Sequence, residues 1–330
     1  MNNRSQGRAM GVDAWGSPDD LAPRTVELPG ITGAQVAIEV RAAACNFFDA
    51  LLIAGRYQER PAFPVVPGAE ISGVVTATGP DATRFDVGQR VLAMLPHGGY
   101  ASHVVADGAN VYAIDDAMSF EHAAAFGIVY QTSYFGLAYR AGIAAGETLV
   151  VHAAAGGVGL AAVQLGRALG ARVFGTAGSN DKCALARAHG AEDCFNYREV
   201  DWRARVLELT EGRGADVIYD PVGGDVFDTS LRTLAFGGRL LVIGFASGRI
   251  PSVAANYVLL KNISVVGLHW GAYRRHDPER IHTAMDELMA MYRRGAITPL
   301  VSNTWPLEQA ATALEALTSR ATVGKVLLIP

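Results

Sequence analysis

Cysteine is scarce in this chain: Cys45, Cys183 and Cys194 are the only three in 330 residues, and none forms a C-x-x-C pair. An odd, widely spaced set in a chain of this size excludes a disulfide framework and reads as reduced thiols of a cytoplasmic protein. Charge is sparse too. Lys and Arg number 28 and Asp and Glu 32, interspersed and without a basic block, so nucleic acid is not expected as a main partner. The N-terminal stretch MNNRSQGRAMGVDAWGSPDD has no apolar segment after its arginines, and no signal peptide is expected. Thr148 to Gly166 carries no charge and is nearly long enough for a membrane span. Its glycines at 156, 157 and 159 fit a turn between buried elements better, so no span is expected. No repeat with a period of about 20–50 residues occurs, which excludes solenoids and propellers.

What is present is an apolar, two-part chain. Half of the residues are apolar, and a length of 330 exceeds the roughly 150 residues typical of one domain, so about two are expected. Before residue 125 short apolar runs punctuated by Gly and Pro (QVAIEVRAAA, AEISGVVTATG, QRVLAML, YASHVVA) predict strands of a small antiparallel barrel or sandwich. From there to about residue 270 the rhythm changes. TLVVH, ARVFGT, DCFNY, DVIYD, RLLVIG and SVVGL alternate with LAAVQLGRALG, DKCALARAHG, DWRARVLELT and DVFDTSLRTLA, which predicts a parallel sheet with helices on both faces. In PERIHTAMDELMAMYRRG, Ile281, Met285, Leu288 and Tyr292 share one helical face, and VGKVLLIP ends the chain as a strand.

HAAAGGVG, His152 to Gly159, stands where the first parallel strand hands over to its helix. In a dinucleotide-binding unit the first of three glycines makes the tight turn, the second admits the pyrophosphate and the third lets helix and strand pack closely. The helix N-terminus then offers N–H groups and a partial positive charge to phosphate. Here those positions read Ala154, Gly156 and Gly159. The alternative is a tight turn with nothing bound, but a preceding strand, a following helix and further β/α alternations favour a nucleotide.

The second strand ends in GTAGSNDK, where an acid about 20 residues after the glycines would select NAD. Gly178, Ser179 and Lys182 offer a hydroxyl and a cation suited to the 2′-phosphate of NADP. Asp181 reverses that preference if it faces the ribose; in the first helical turn and facing solvent it leaves the choice to Lys182. Ser179 to Lys182 also matches the S-x-x-K of penicillin-recognising acyl enzymes, but S-D-N, K-T-G and G-x-S-x-G strings are all absent.

On these residues, together with NFFDALLIAGRY, PVVPGAEISGVV, DVGQRVLAM, FNYRE and SRATVGKVLLIP, the chain resembles the zinc-free quinone oxidoreductase, or zeta-crystallin-like, branch of the medium-chain dehydrogenase/reductase superfamily. The resemblance implies an α/β fold: a discontinuous GroES-like β-barrel catalytic domain from residues 1–125 and 270–330, and a Rossmann NADP-binding domain from 126–269. It implies NADPH as cofactor, with the adenosine phosphate at Ser179, Lys182 and Tyr197 and the pyrophosphate over Gly156, Gly157, Val158 and Gly159. Asn46, Thr132 and Phe245 would stand near the nicotinamide and Arg320 towards the phosphates. Core packing is the alternative for Tyr197 and Phe245, and local backbone capping for Asn46. The apolar strand near Ser264 to Gly271 resembles the edge through which the family pairs as homodimers.

Zinc-dependent relatives have Cys at the position of Asn46 and His at that of Ala69, and a four-cysteine loop where this chain has only PH. Structural zinc needs about four N/S ligands and catalytic zinc about three, so neither site is expected, and each histidine reads as a packing or surface residue. Hydride transfer without a Lewis acid requires an acceptor that spreads the incoming charge itself. The expected acceptors are therefore quinones or enones, with water or the Tyr57 phenol of AGRYQER as proton source, or Tyr57 as a stacking wall. Tyr57 also matches the position of the catalytic Tyr in enoyl thioester reductases. An enoyl-CoA reductase is thus the second reading, and a non-catalytic NADPH-binding crystallin-like or RNA-binding protein the third.

Overall fold

Apolar residues crowd both faces of QVAIEVRAAAC, and the strand they form, Gln35–Cys45, is the spine of the first half of the protein. It pairs antiparallel with Glu70–Thr78, His103–Asp107 and Lys325–Ile329. A computed structural model describes residues 6–330; the expectation for the N-terminal stretch rests partly on residues 1–5, which lie outside the described residues. Along the sheet the strands run Val301–Pro306, Lys325–Ile329, Gln35–Cys45, Glu70–Thr78, Arg90–Met94 and Val111–Ala113. Ile38, Val40, Ile71, Val91 and Leu328 form its core. The strands before residue 125 pair antiparallel, as expected, and the one parallel pairing in this sheet joins Val301–Pro306 to Lys325–Ile329. A separate hairpin, Gln6–Gly11 with Ala22–Glu27, is one that the sequence pattern does not announce.

Six strands form the second sheet, all parallel. In chain order they are Thr148–Val151, Arg172–Ala177, Asp193–Asn196, Ala215–Asp220, Leu234–Val242 and Ser264–Gly267, and in space they run third, second, first, fourth, fifth, sixth. This is the doubly wound order in which the crevice at the carboxyl ends of the first and fourth strands holds ligands. The central strands are buried on both faces, which is why TLVV and ADVIYD read as continuous rather than alternating apolar runs.

Contacts group residues up to Ile128 with Pro299–Pro330, and Val129–Thr298 as a second unit. The second unit thus runs on to Thr298, past the boundary at 269/270 expected from the sequence. Helix Pro278–Arg293 belongs with the parallel sheet: Ile281, Met285 and Leu288 are buried, and the Ile281 carbonyl accepts from Gln131 Nε2 at 2.9 Å. Periodicity alone does not assign this helix to either neighbour.

Candidate functional site

After Val151 the chain turns through His152 to Ala155, and helix Gly157–Ala168 begins with Gly156 as its N-cap. The left-handed residue of this turn is Ala153 (φ 52°), one position before the alanine assigned that task from the sequence. Holding an alanine there costs about 1 kcal/mol. Gly159 is a steric requirement: a β-carbon on it would stand 2.1 Å from the Ala153 carbonyl oxygen. On Gly156 it would stand 3.4 Å from the same oxygen, an ordinary contact, so the missing side chain there leaves open space over the helix end. The N-terminal end of helix Gly157–Ala168 is thus left without a side chain at Gly156.

His152 supports this turn from below. It is 1% exposed, and burial pushes its pKa down to about 3. Ser230 Oγ donates to Val226 O, so it must accept from His152 Nε2–H at 2.9 Å, and Nδ1 accepts from Thr176 Oγ1 at 2.8 Å. The ring is a neutral bridge between strand and helix.

At the end of the second strand, Ser179 caps helix Asn180–Ala188, its hydroxyl accepting from Lys182 N. Asp181 is exposed in the first turn of that helix. Tyr197 and Phe245 are 45% and 39% exposed, so neither is plain core. A β-carbon on Gly178 would meet the Tyr197 hydroxyl at 2.7 Å and Arg198 Nε at 3.7 Å, and one on Gly223 would meet Phe245 Cδ1 at 3.0 Å. Asn180 links the two loops, bonding Glu199 and accepting from Asn196 Nδ2. Gly178, Ser179 and Tyr197 are therefore gathered in one place, with Lys182 in the adjoining first helical turn. Arg198 was not anticipated; its signal in the sequence is its place beside Tyr197 in FNYRE. Thr132 is half-buried on helix Gly127–Tyr134; the neighbouring Ser133 Oγ donates to Val158 O, tying this helix to the glycine turn.

In the first unit, Asn46 begins helix Phe47–Ile53, but its side chain makes no capping bond. It turns instead into a buried polar cluster. Asn46 Nδ2 donates to Glu70 Oε1 at 3.0 Å, and Lys325 Nζ donates to Asn46 Oδ1 and Glu70 Oε1, each at 2.7 Å. Beside it Asp49 accepts from Asn46 N, Gly68 N and the Tyr100 hydroxyl, and burial pushes its carboxyl up to about 6. Burial likewise pushes the Cys45 thiol up to about 12. Tyr57 stacks on Phe48, with centroids 5.2 Å apart. Arg320 is exposed just beyond helix Ala310–Thr318, in the left-handed region (φ 61°). Glu70, Lys325, Asp49 and Tyr100 were not anticipated; the acid in GAE was the one readable signal. Among the described residues no group of three or more His, Cys, Asp or Glu could hold a metal ion, and no helix is long and apolar enough to cross a membrane.

Two family models match: the alcohol dehydrogenase GroES-like domain over residues 32–116 and the zinc-binding dehydrogenase over 157–290. The chain is 38% identical to quinone oxidoreductase-like protein 2 of Bos taurus over 311 residues, which is 94% of this chain and 88% of the relative. It superposes on Escherichia coli quinone oxidoreductase complexed with NADPH with a TM-score of 0.89 at 32% identity, covering 98% of this chain and 100% of that one. The CurK enoyl reductase gives 0.90 at 28% identity over 98% and 99%.

Proposed function

This chain belongs to the quinone oxidoreductase family of the medium-chain dehydrogenases/reductases, and on that premise we propose that it reduces quinones or other conjugated carbonyl acceptors with NADPH, without zinc. The observation that carries the cofactor choice is the approach of Tyr197 to Gly178, beside Ser179 and the first helical turn that bears Lys182. Asp181 is exposed there rather than buried against a ribose site, which supports the 2′-phosphate of NADP. Gly156 to Gly159 would hold the pyrophosphate against the helix end, with Thr132 and Phe245 beside the nicotinamide and Arg320 reaching the phosphates.

NADPH supplies the hydride when bound. The chain's own part is to seat it, exclude water and manage the proton. Lys325 already places an ammonium 2.7 Å from both Asn46 Oδ1 and Glu70 Oε1, so a second cation there would be repelled, which supports zinc independence. The acceptor must therefore delocalise its own charge. A tyrosine phenol is protonated at neutral pH, and the phenol of Tyr57, or water, donates the proton that completes the reduction.

The likeness to an enoyl reductase favours enoyl thioesters as the second substrate class. A panel of quinones, enones and enoyl thioesters assayed with NADPH and with NADH tests the reading. Quinone or enone turnover with NADPH supports it; dominant turnover of crotonyl thioester moves the chain to the second class, and NADPH binding without turnover of any acceptor overturns both. The three buried free thiols fit a cytoplasmic protein. The single-sided strand Ser264–Gly267 supports a homodimer.

A further inference from the structure

An amide has two unlike ends, and which end Asn46 turns outward decides whether it can donate a hydrogen bond to a bound molecule. Its neighbours fix the direction. Lys325 Nζ has three N–H groups and no lone pair, and all three are used, on Cys45 O (3.1 Å), Asn46 Oδ1 and Glu70 Oε1. The Glu70 carboxylate only accepts: Oε1 takes Lys325 and Asn46 Nδ2, and Oε2 takes the Ile128 N–H at 2.8 Å. A flipped amide would set its nitrogen against the ammonium and its oxygen against the carboxylate. With Glu70 and Lys325 only 1% and 4% exposed, no water is at hand to relieve two such repulsions. One Asn46 N–H is thus committed to Glu70. The other faces Ala44 O at 3.5 Å, too far for a strong bond, and is available to a better acceptor.

We propose that Lys325 and Glu70 are positioning residues for the reduction: they lock the Asn46 amide oxygen inward so that its second N–H donates to the acceptor's carbonyl oxygen. This rests on the proposed function, which puts the acceptor beside Asn46. The acceptor takes the hydride at its conjugated carbon, forming a C–H bond, or at a quinone oxygen, forming an O–H bond. The displaced π pair moves to the conjugated oxygen, and a proton from Tyr57 or water completes the two-electron reduction. NADPH is oxidised to NADP⁺. The Asn46 N–H meets the oxygen on which charge grows, and the ammonium on its amide oxygen polarises it into a stronger donor.

The double variant Glu70→Gln with Lys325→Met separates this role from stability, because replacing a buried ion pair by neutral groups of similar shape preserves folding. In it the new amide at position 70 must give its oxygen to the Ile128 N–H. That leaves its nitrogen facing Asn46, which then rotates its own oxygen towards it. The expected result is a Tm close to the parent's, a KM for NADPH within about twofold, and kcat on 1,4-benzoquinone lower by about tenfold or more. A folded double variant with the parent's kcat overturns the proposal. Should it not fold, Asn46→Ser, which leaves the Glu70–Lys325 pair intact and removes the second N–H, carries the same kcat-against-KM comparison. If the parent reduces neither quinones nor enones, the proposed function falls, and the ¹⁵N–¹H signals of the Asn46 side chain decide this inference separately. Protected amide protons in the parent that shift and lose protection in the variant uphold the lock; identical signals in both overturn it.

Discussion

The hydroxyl of Tyr197 closes over Gly178: a β-carbon built there would lie 2.7 Å from it and 3.2 Å from ring carbon Cζ. Gly178→Ala must push the phenol aside. Because Tyr197 is 45% exposed it can swing away, at a cost in stability of less than about 1 kcal/mol. Its KM for NADPH should rise by about tenfold. Lys182→Ala removes a charge-assisted contact of roughly 1.5–3 kcal/mol, so NADPH should weaken about ten- to a hundredfold while NADH changes little. Steady-state kinetics with both nucleotides check this, and equal losses would contradict the 2′-phosphate assignment.

Tyr57 is stacked on Phe48 at an interplanar angle of 24°, and loss of its hydroxyl should leave that stack intact. If the phenol donates the proton, Tyr57→Phe keeps the parent's Tm and lowers kcat on enones by about a hundredfold. Full turnover on both quinones and enones would reduce Tyr57 to a wall of the site.

Acid should destabilise the second unit through His152. Its folded pKa of about 3 lies below the unfolded value of about 6.5, so its contribution is complete above pH 6.5 and is lost as pH falls towards 3. The loss is on the order of 5 kcal/mol at most. Asp49 has the opposite sign. Raised from 3.8 to about 6, its carboxyl carries no penalty below pH 3.8 and destabilises the fold progressively as pH rises towards 6. Thermal unfolding against pH should therefore show a shallow acid limb in the parent. His152→Gln should flatten or invert it between about pH 6 and 4, and an unchanged limb would exclude His152 as its source.

Strand Ser264–Gly267 pairs on one side only, with Leu234–Val242, and the nearby helix Ala255–Lys261 exposes Leu259 and Leu260 at 75% each. A second copy pairing along this edge would cover them. Light scattering should give twice the chain mass for the parent and a lower mass for the Leu259→Glu/Leu260→Glu variant. A monomeric parent contradicts the dimer.

Local signals were readable in the sequence, and long-range ones were not. TLVVH, ARVFGT and DVIYD became parallel strands because burial on both faces demands unbroken apolar runs, and GGVG marked the helix start because Gly159 admits no side chain. The site in the first unit was half legible. Asn46 stood out, but the lysine and glutamate that orient it come from residues 325 and 70, far apart in sequence, and meet only when Lys325–Ile329 and Glu70–Thr78 flank Gln35–Cys45. The hairpin at Gln6–Gly11 escaped notice for another reason: QGRAMG and APRTVE hold few of the β-branched and aromatic residues that mark a strand, although their burial alternates.

Consumption of NADPH by the purified protein in the presence of a quinone and a strong zinc chelator tests the central claim most directly. The account predicts steady turnover, unaffected by the chelator and faster with NADPH than with NADH. Turnover that the chelator abolishes and added zinc restores, or none with any quinone or enone, would contradict it.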